Sequence, residues 1–243
     1  EGTQIQLRRC GIKFNSIEHI FISHLHGDHF FGLPGLISTF RLLGRIKPLN
    51  IYGPIGIKKA IILMLKLGDS WTNYDLRFIE LESLDPVLLL ESERFSVKTI
   101  PLNHRIYTNG FLFKEIKNER KLLINKLLKL GIDKTQFSGI KKGNDGINAV
   151  GEIIKNIELT ESKPKDISYA YCSDTCFNPI IIDLIKKCNV LYHESTFLDS
   201  HKDLAEKTKH STAKQAAEIA KLAKVEKLIL GHFSSRYKNL NSF

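Results

Sequence analysis

Ser23-His24-Leu25-His26-Gly27-Asp28-His29 decides how this 243-residue chain is read. Three imidazoles and a carboxylate fall within residues 24–29, a density that a solvent-facing turn has no packing reason to carry. The apolar residues 17–22 read as a strand running into the motif. His24 and His26 then alternate on extended backbone, so their rings point the same way. Gly27 lets the chain turn, and Asp28 and His29 are presented to a second position. Nitrogen and oxygen donors of this kind suit zinc.

Around this motif, strand-like and helix-like segments alternate, which predicts a layered α/β domain. Residues 32–43 read as a helix with Pro34 in its first turn, and residues 54–67 as a second closed by Gly68. Residues 49–52, 76–81, 87–90, 95–100 and 111–116 read as strands, and 119–130 as helical. Beyond them, strands are expected at 167–172, 190–192 and 228–230, with helices at 179–188 and 213–224. Ser211-Thr212 supplies the cap of the last helix.

Metal-type residues recur just past the strand ends, where loops converge on ligand sites. His104 follows one strand, and Asp174 offers a carboxylate that can bridge two ions. His193-Glu194 and His232 follow two others. His193 reads as a core or supporting histidine, His19 and His201 as ordinary, and Trp71 with Phe30-Phe31 as core.

With 42% apolar residues, the length fits one domain spanning 1–243. No apolar run reaches the length of a membrane span, and no signal-peptide pattern opens the chain. Cys10, Cys172, Cys176 and Cys188 show no framework spacing, so reduced thiols and a cytoplasmic location are expected. The net charge of +10 favours a polyanionic partner, although solvated lysines serve solubility equally well.

Several longer words resemble the ribonuclease Z family of the metallo-β-lactamase superfamily. They are residues 23–36 around the histidine motif, Ile51-Tyr52-Gly53-Pro54, His193-Glu194-Ser195-Thr196-Phe197, His210-Ser211-Thr212 and His232-Phe233-Ser234-Ser235-Arg236-Tyr237. Glu1-Gly2-Thr3-Gln4 resembles the word that members carry after their first strands. The resemblance implies an αββα sandwich with a projecting arm at about residues 114–166 that binds tRNA. It further implies that the opening strands and the extreme C-terminus fall outside this chain. The Gly-Pro word usual in the family's arm is missing.

The same resemblance implies two zinc ions per chain, bridged by Asp174. His24, His26, His104 and Asp174 would hold one, and Asp28, His29, Asp174 and His232 the other. The implied reaction is cleavage at the 3′ end of precursor tRNA, leaving a tRNA 3′-hydroxyl and a 5′-phosphate. Asp28 would orient the attacking water, and His210 backed by Glu194 would protonate the leaving oxygen. Lys141 and Lys142 in the arm, with Ser234 and Arg236, are the substrate-binding candidates. A homodimer is implied, one subunit's arm holding tRNA for the other's site, with no membrane involved.

Two alternatives remain. Another hydrolase of the fold (a β-lactamase, lactonase or thioesterase) would share the histidine motif but lack the two later words and the basic insertion. An RNA-binding protein that had lost its metals would be expected to lack a ligand, and none is lacking.

Overall fold

The computed structural model describes residues 2–243; Glu1, which opens the 1–4 word, lies outside the described residues. In chain order come helix α1 (Thr3–Arg9), strand β1 (His19–Phe21), helices α2 (Gly27–Phe30) and α3 (Leu33–Leu42), β2 (Leu49–Pro54), α4 (Ile57–Leu67) and β3 (Leu76–Leu81). Strands β4 (Leu88–Glu91), β5 (Phe95–Pro101) and β6 (Asn109–Glu115) follow. Next are β7 (Lys121–Leu122), α5 (Ile124–Lys129), α6 (Phe137–Lys141), β8 (Gly146–Ile147), β9 (Ile153–Ile154), α7 (Asn156–Leu159) and β10 (Thr160–Glu161). The rest is β11 (Ile167–Cys172), β12 (Val190–Glu194), α8 (Lys202–Thr208), α9 (Ala213–Leu222) and β13 (Lys227–Gly231).

These elements form two compact units. The first runs up to Val87 and resumes at Lys98–Leu112 and Ala170–Phe243; the second comprises Leu88–Val97 and Phe113–Tyr169. In the first, β1, β2 and β3 form a parallel sheet with Ile20 beside Ile51 and Ile51 beside Phe78. Parallel strands need crossovers, and α3 and α4 provide them. Leu33, Leu36, Ile37 and Phe40 recur at helical spacing on the buried face of α3, as do Ile57, Ile61 and Leu65 on α4.

The larger sheet has the order β13-β12-β11-β6-β5-β4. Helix α9 packs on it through Ile219 and Ala220, in one core with Ala170, Cys172 and Leu191. Its start is fixed by a capping box in which the Thr212 hydroxyl and the Gln215 side chain bond each other's backbone N–H. Phe21 of β1 lies 5.2 Å from Phe111 of β6, ring centre to ring centre, so the two sheets face each other. The result is the expected αββα sandwich.

A buried arginine sets the strand that leads into the histidine motif. Arg45 is 1% exposed and donates to the carbonyls of Ile17, Lys47 and Pro48 at 2.8, 2.7 and 2.6 Å. These carbonyls precede β1 and β2, so one guanidinium aligns the starts of both strands. Its face also lies over Phe40 and Tyr74. Arg45→Ala is therefore expected to lose about 3–5 kcal/mol of stability, from the cavity and from acceptors left without donors. A urea unfolding curve checks this; a loss below about 1 kcal/mol would show that the carbonyls are readily re-solvated.

Three local expectations are corrected. Residues 119–130 do not form one helix: Lys121–Leu122 pairs antiparallel with Thr160–Glu161, and α5 occupies only Ile124–Lys129. Pairing and burial of Leu122 outweigh local helix preference there. Residues 179–188 hold only a 3-10 turn at Pro179–Ile182, where consecutive β-branched isoleucines disfavour a longer helix. Trp71 and Phe31 are half exposed rather than core, while Phe30 is buried.

The second unit has a small core of its own, formed by Leu122, Leu127, Ile132, Ile140 and Leu159. Lys141 ends α6, and Lys142 caps it in an exposed turn that continues through Gly143. Val150 and Ile153 are exposed at the turn between β8 and β9, which Gly151 makes with a φ of +87°.

Candidate metal centre and active site

Each expected metal ligand follows a strand end in the first unit. His24 lies past β1, His104 past β5, Asp174 past β11 and His232 past β13. Asp174 and His232 adopt left-handed backbone, with φ of 52° and 58°. Such reversals cost non-glycine residues of order 1–3 kcal/mol and are tolerated at functional sites.

The donors form two groups. In the first, His24 Nε2 is 3.1 Å from His26 Nδ1, and His104 Nε2 is 3.3 Å from the same nitrogen. Asp174 Oδ2 faces this group, 3.5 Å from His24 Nε2 and 3.8 Å from His104 Nε2. Asp174 Oδ1 faces the second group, 3.3 Å from both His29 Nε2 and His232 Nε2. Asp28 Oδ2 completes it, 3.4 Å from His29 Nε2 and 3.7 Å from His232 Nε2. One carboxylate thus offers an oxygen to each group.

These contacts cannot all be good hydrogen bonds at once, because His26 Nδ1 carries at most one proton for the two ring nitrogens beside it. His104 Nδ1 lies 2.8 Å from the Lys209 carbonyl, which can only accept, so the proton sits on Nδ1 and Nε2 carries a lone pair. That lone pair points at another ring nitrogen and a carboxylate oxygen. His29 Nε2 is buried and meets Asp174 Oδ1 at 3.3 Å and Asp28 Oδ2 at 3.4 Å without the alignment of a good hydrogen bond to either. Facing donor atoms of this kind are relieved when a cation sits among them: those of His24, His26, His104 and Asp174 lie within 4.8 Å of one another, as do those of Asp28, His29 and His232, and those of Asp174, His210 and His232.

Charge states suit this reading. Burial, reinforced by the neighbouring His29, pushes His24 down to about 3. Burial also lowers His26 and His104, helped at His26 by the exposed Arg105. Neutral imidazole is the ligating form. Burial would raise Asp174, but His29, His232 and His24 outweigh it and hold the carboxyl below its ordinary range.

Beside the metal-type groups stands a second constellation. Glu194 is fully buried and accepts five hydrogen bonds. Oε1 takes His210 Nδ1 at 2.8 Å and Thr175 N at 2.8 Å. Oε2 takes Thr196 Oγ1 at 2.6 Å, with Thr196 N and Ser211 N at 3.1 Å each. With its Nδ1 proton held by Glu194, His210 presents Nε2. Its ring lies 4.9 Å from that of His104 and 5.4 Å from that of His232. Burial would lower His210, but the Glu194 hydrogen bond and charge outweigh it and raise its pKa.

The remaining candidates are less concentrated. Ser234 Oγ accepts from Arg236 Nε at 3.3 Å, and the Arg236 guanidinium lies 5.3 Å above Phe197. Lys141 pairs with Glu119 at 3.5 Å in the second unit. His193 is buried outside both groups, its Nδ1 bonded to the Glu194 carbonyl at 2.7 Å. Sequence reasoning did not single out Thr196, Arg105 or the Lys209 carbonyl. Thr196 lay inside a word already quoted and Arg105 beside an expected ligand, but a backbone carbonyl has no residue signature.

Comparison with known proteins gives these features relatives. The chain is 44% identical to a ribonuclease Z of Parabacteroides distasonis over 240 residues, covering 99% of this chain and 79% of the relative. It is 45% identical to a ribonuclease Z of Cytophaga hutchinsonii, covering 100% of this chain and 78% of that protein. Among solved structures, the short form of human tRNase Z matches with a TM-score of 0.69 at 30% identity, covering 98% of this chain and 81% of that one. The metallo-β-lactamase-fold protein YhfI of Bacillus subtilis matches in fold, with a TM-score of 0.57 at 15% identity, over 91% of this chain and 67% of that one. A family profile described as anti-Pycsar protein Apyc1 matches residues 2–128.

Proposed function

This chain belongs to the ribonuclease Z family, and from that premise we propose that its paired donor groups hold two zinc ions with which it trims the 3′ end of precursor tRNA. The observation that carries the reading is Asp174, with one oxygen turned to each group. Four donors set tetrahedrally about 2.0–2.1 Å from one ion lie roughly 3.3 Å apart, close to the separations around His26. Imidazole-rich sets of this kind favour zinc over magnesium or calcium.

Bound there, the ions would acidify a water and offset charge gathering on the phosphoryl oxygens. The chain's own residues do the rest. The exposed carboxylate of Asp28 orients the water that attacks phosphorus and takes its proton. His210, protonated at Nε2, donates to the departing ribose 3′-oxygen, while Glu194 fixes its orientation and stabilises its positive charge. One water is consumed; the tRNA leaves with a 3′-hydroxyl and the trailer with a 5′-phosphate.

The second unit is the candidate arm for holding tRNA, and residues 114–166 carry twelve basic against eight acidic side chains. Lys141 is engaged with Glu119, but an exposed pair is worth at most about 1 kcal/mol, so a phosphate can replace the glutamate cheaply. The pairing of one subunit's arm with its partner's site, as a homodimer in the cytoplasm, belongs to the same proposal. No helix among the described residues is long and apolar enough to cross a membrane.

Purified protein supplied with zinc is expected to cut a precursor tRNA at the trailer junction and to leave a β-lactam intact. A variant with residues 117–165 replaced by a Gly/Ser linker should bind the precursor more weakly and with a flatter salt dependence. It should keep its zinc and its turnover of a small phosphodiester. Equal loss on both substrates would refute the arm's role, and β-lactam turnover without RNA cleavage would refute the reaction.

A further inference from the structure

Thr196 is 6% exposed, and its hydroxyl stands between the Glu194–His210 pair and the second donor group. Oγ1 lies 2.6 Å from Glu194 Oε2, 2.8 Å from His232 Nδ1 and 3.3 Å from His210 Nδ1. A hydroxyl carries one hydrogen. The Glu194 carboxylate, ringed by donors, can only accept, so that hydrogen goes to Oε2. The hydroxyl oxygen must then accept from His232, which places the His232 proton on Nδ1. In the neutral ring the lone pair is then on Nε2, which faces Asp174 Oδ1 at 3.3 Å and Asp28 Oδ2 at 3.7 Å.

The residue is held firmly enough to impose this choice. Its N–H donates to Glu194 Oε2 at 3.1 Å, and its carbonyl accepts from Ser234 N at 3.1 Å. Two backbone bonds therefore fix the hydroxyl's origin, and two side-chain bonds fix its direction. His232 itself is 23% exposed at the side chain, and at Nδ1 the Thr196 hydroxyl is its hydrogen-bond partner.

We infer that Thr196 is a positioning residue that locks His232 in its ligating tautomer and ties the second metal group to the proton donor His210. The inference rests on the proposal that Asp28, His29, Asp174 and His232 hold an ion. Filling of that group draws on the His232 lone pair and strengthens the Nδ1–H donation to Thr196. The Thr196 hydroxyl in turn steadies the carboxylate that orients His210. Metal occupancy and readiness of the acid are thereby coupled through one oxygen.

The test compares Thr196→Val, Thr196→Ala and Thr196→Ser in the full chain. Imidazole nitrogen NMR of the zinc-free protein should show one His232 tautomer, protonated at Nδ1, in the wild type and in Thr196→Ser. Both hydroxyl-free variants should show a mixture. Chelator competition should find one of the two zinc ions weakened about 10- to 100-fold in those variants and restored by serine. kcat on precursor tRNA should fall with KM unchanged. An unchanged tautomer and unchanged zinc affinities in whichever hydroxyl-free variant folds would overturn the inference. So would a defect that serine fails to rescue, since the lost methyl packing would then be responsible. A wild type that binds no zinc would refute the metal reading, while the tautomer spectrum would still decide the role of Thr196.

Discussion

Asp174→Ala is expected to empty both donor groups together and to bring activity on precursor tRNA to background. Its two oxygens face different groups, so no other single side chain can remove a donor from each. The substitution also strips negative charge from between His24, His29, His104 and His232, leaving their rings to meet without a counter-charge. Asp174 and His29 support each other in the metal-free chain: the His29 pKa, which burial alone would lower, is raised chiefly by Asp174. His104→Ala should behave differently, since its Nε2 belongs to the first group alone. Metal analysis after dialysis separates the two variants. Two zinc ions retained per Asp174→Ala chain would show that the carboxylate does not bridge.

His210→Ala should keep its metal and lose about 10²- to 10⁴-fold in rate on precursor tRNA, the range of a positioned general acid. A phosphodiester with an activated leaving group needs no proton and should be spared most of that loss. The contrast between substrates carries the argument, because a distorted site would slow both. Loss of zinc in this variant would make His210 a ligand, an outcome made conceivable by its place beside Asp174 and His232. Glu194→Gln is a poorer probe. Its amide NH2 would face two or three of the donors that now point at a carboxylate oxygen, and the penalty would fall on folding before chemistry.

Much of this site is legible in the chain itself. Metal donors belong to few residue types, and here four of them lie within residues 24–29 while the others follow strand ends. The layered fold was legible for a related reason: apolar periodicity along α3, α4 and α9 is a local property that packing preserved. Local pattern failed where pairing intervened, as at Lys121–Leu122, whose partner strand lies forty residues on.

Tertiary structure alone decided which atoms act. From left-handed backbone after β11, the Asp174 carboxylate turns one oxygen to each group. The His104 tautomer is set by the carbonyl of Lys209, 105 residues away in the chain, and that of His232 by a threonine hydroxyl 36 residues away. Residue types announce which donors a chain can offer. Proton positions and lone-pair directions depend on the hydrogen bonds each donor meets after folding, and a carbonyl or a common hydroxyl leaves no mark in the sequence to foretell them.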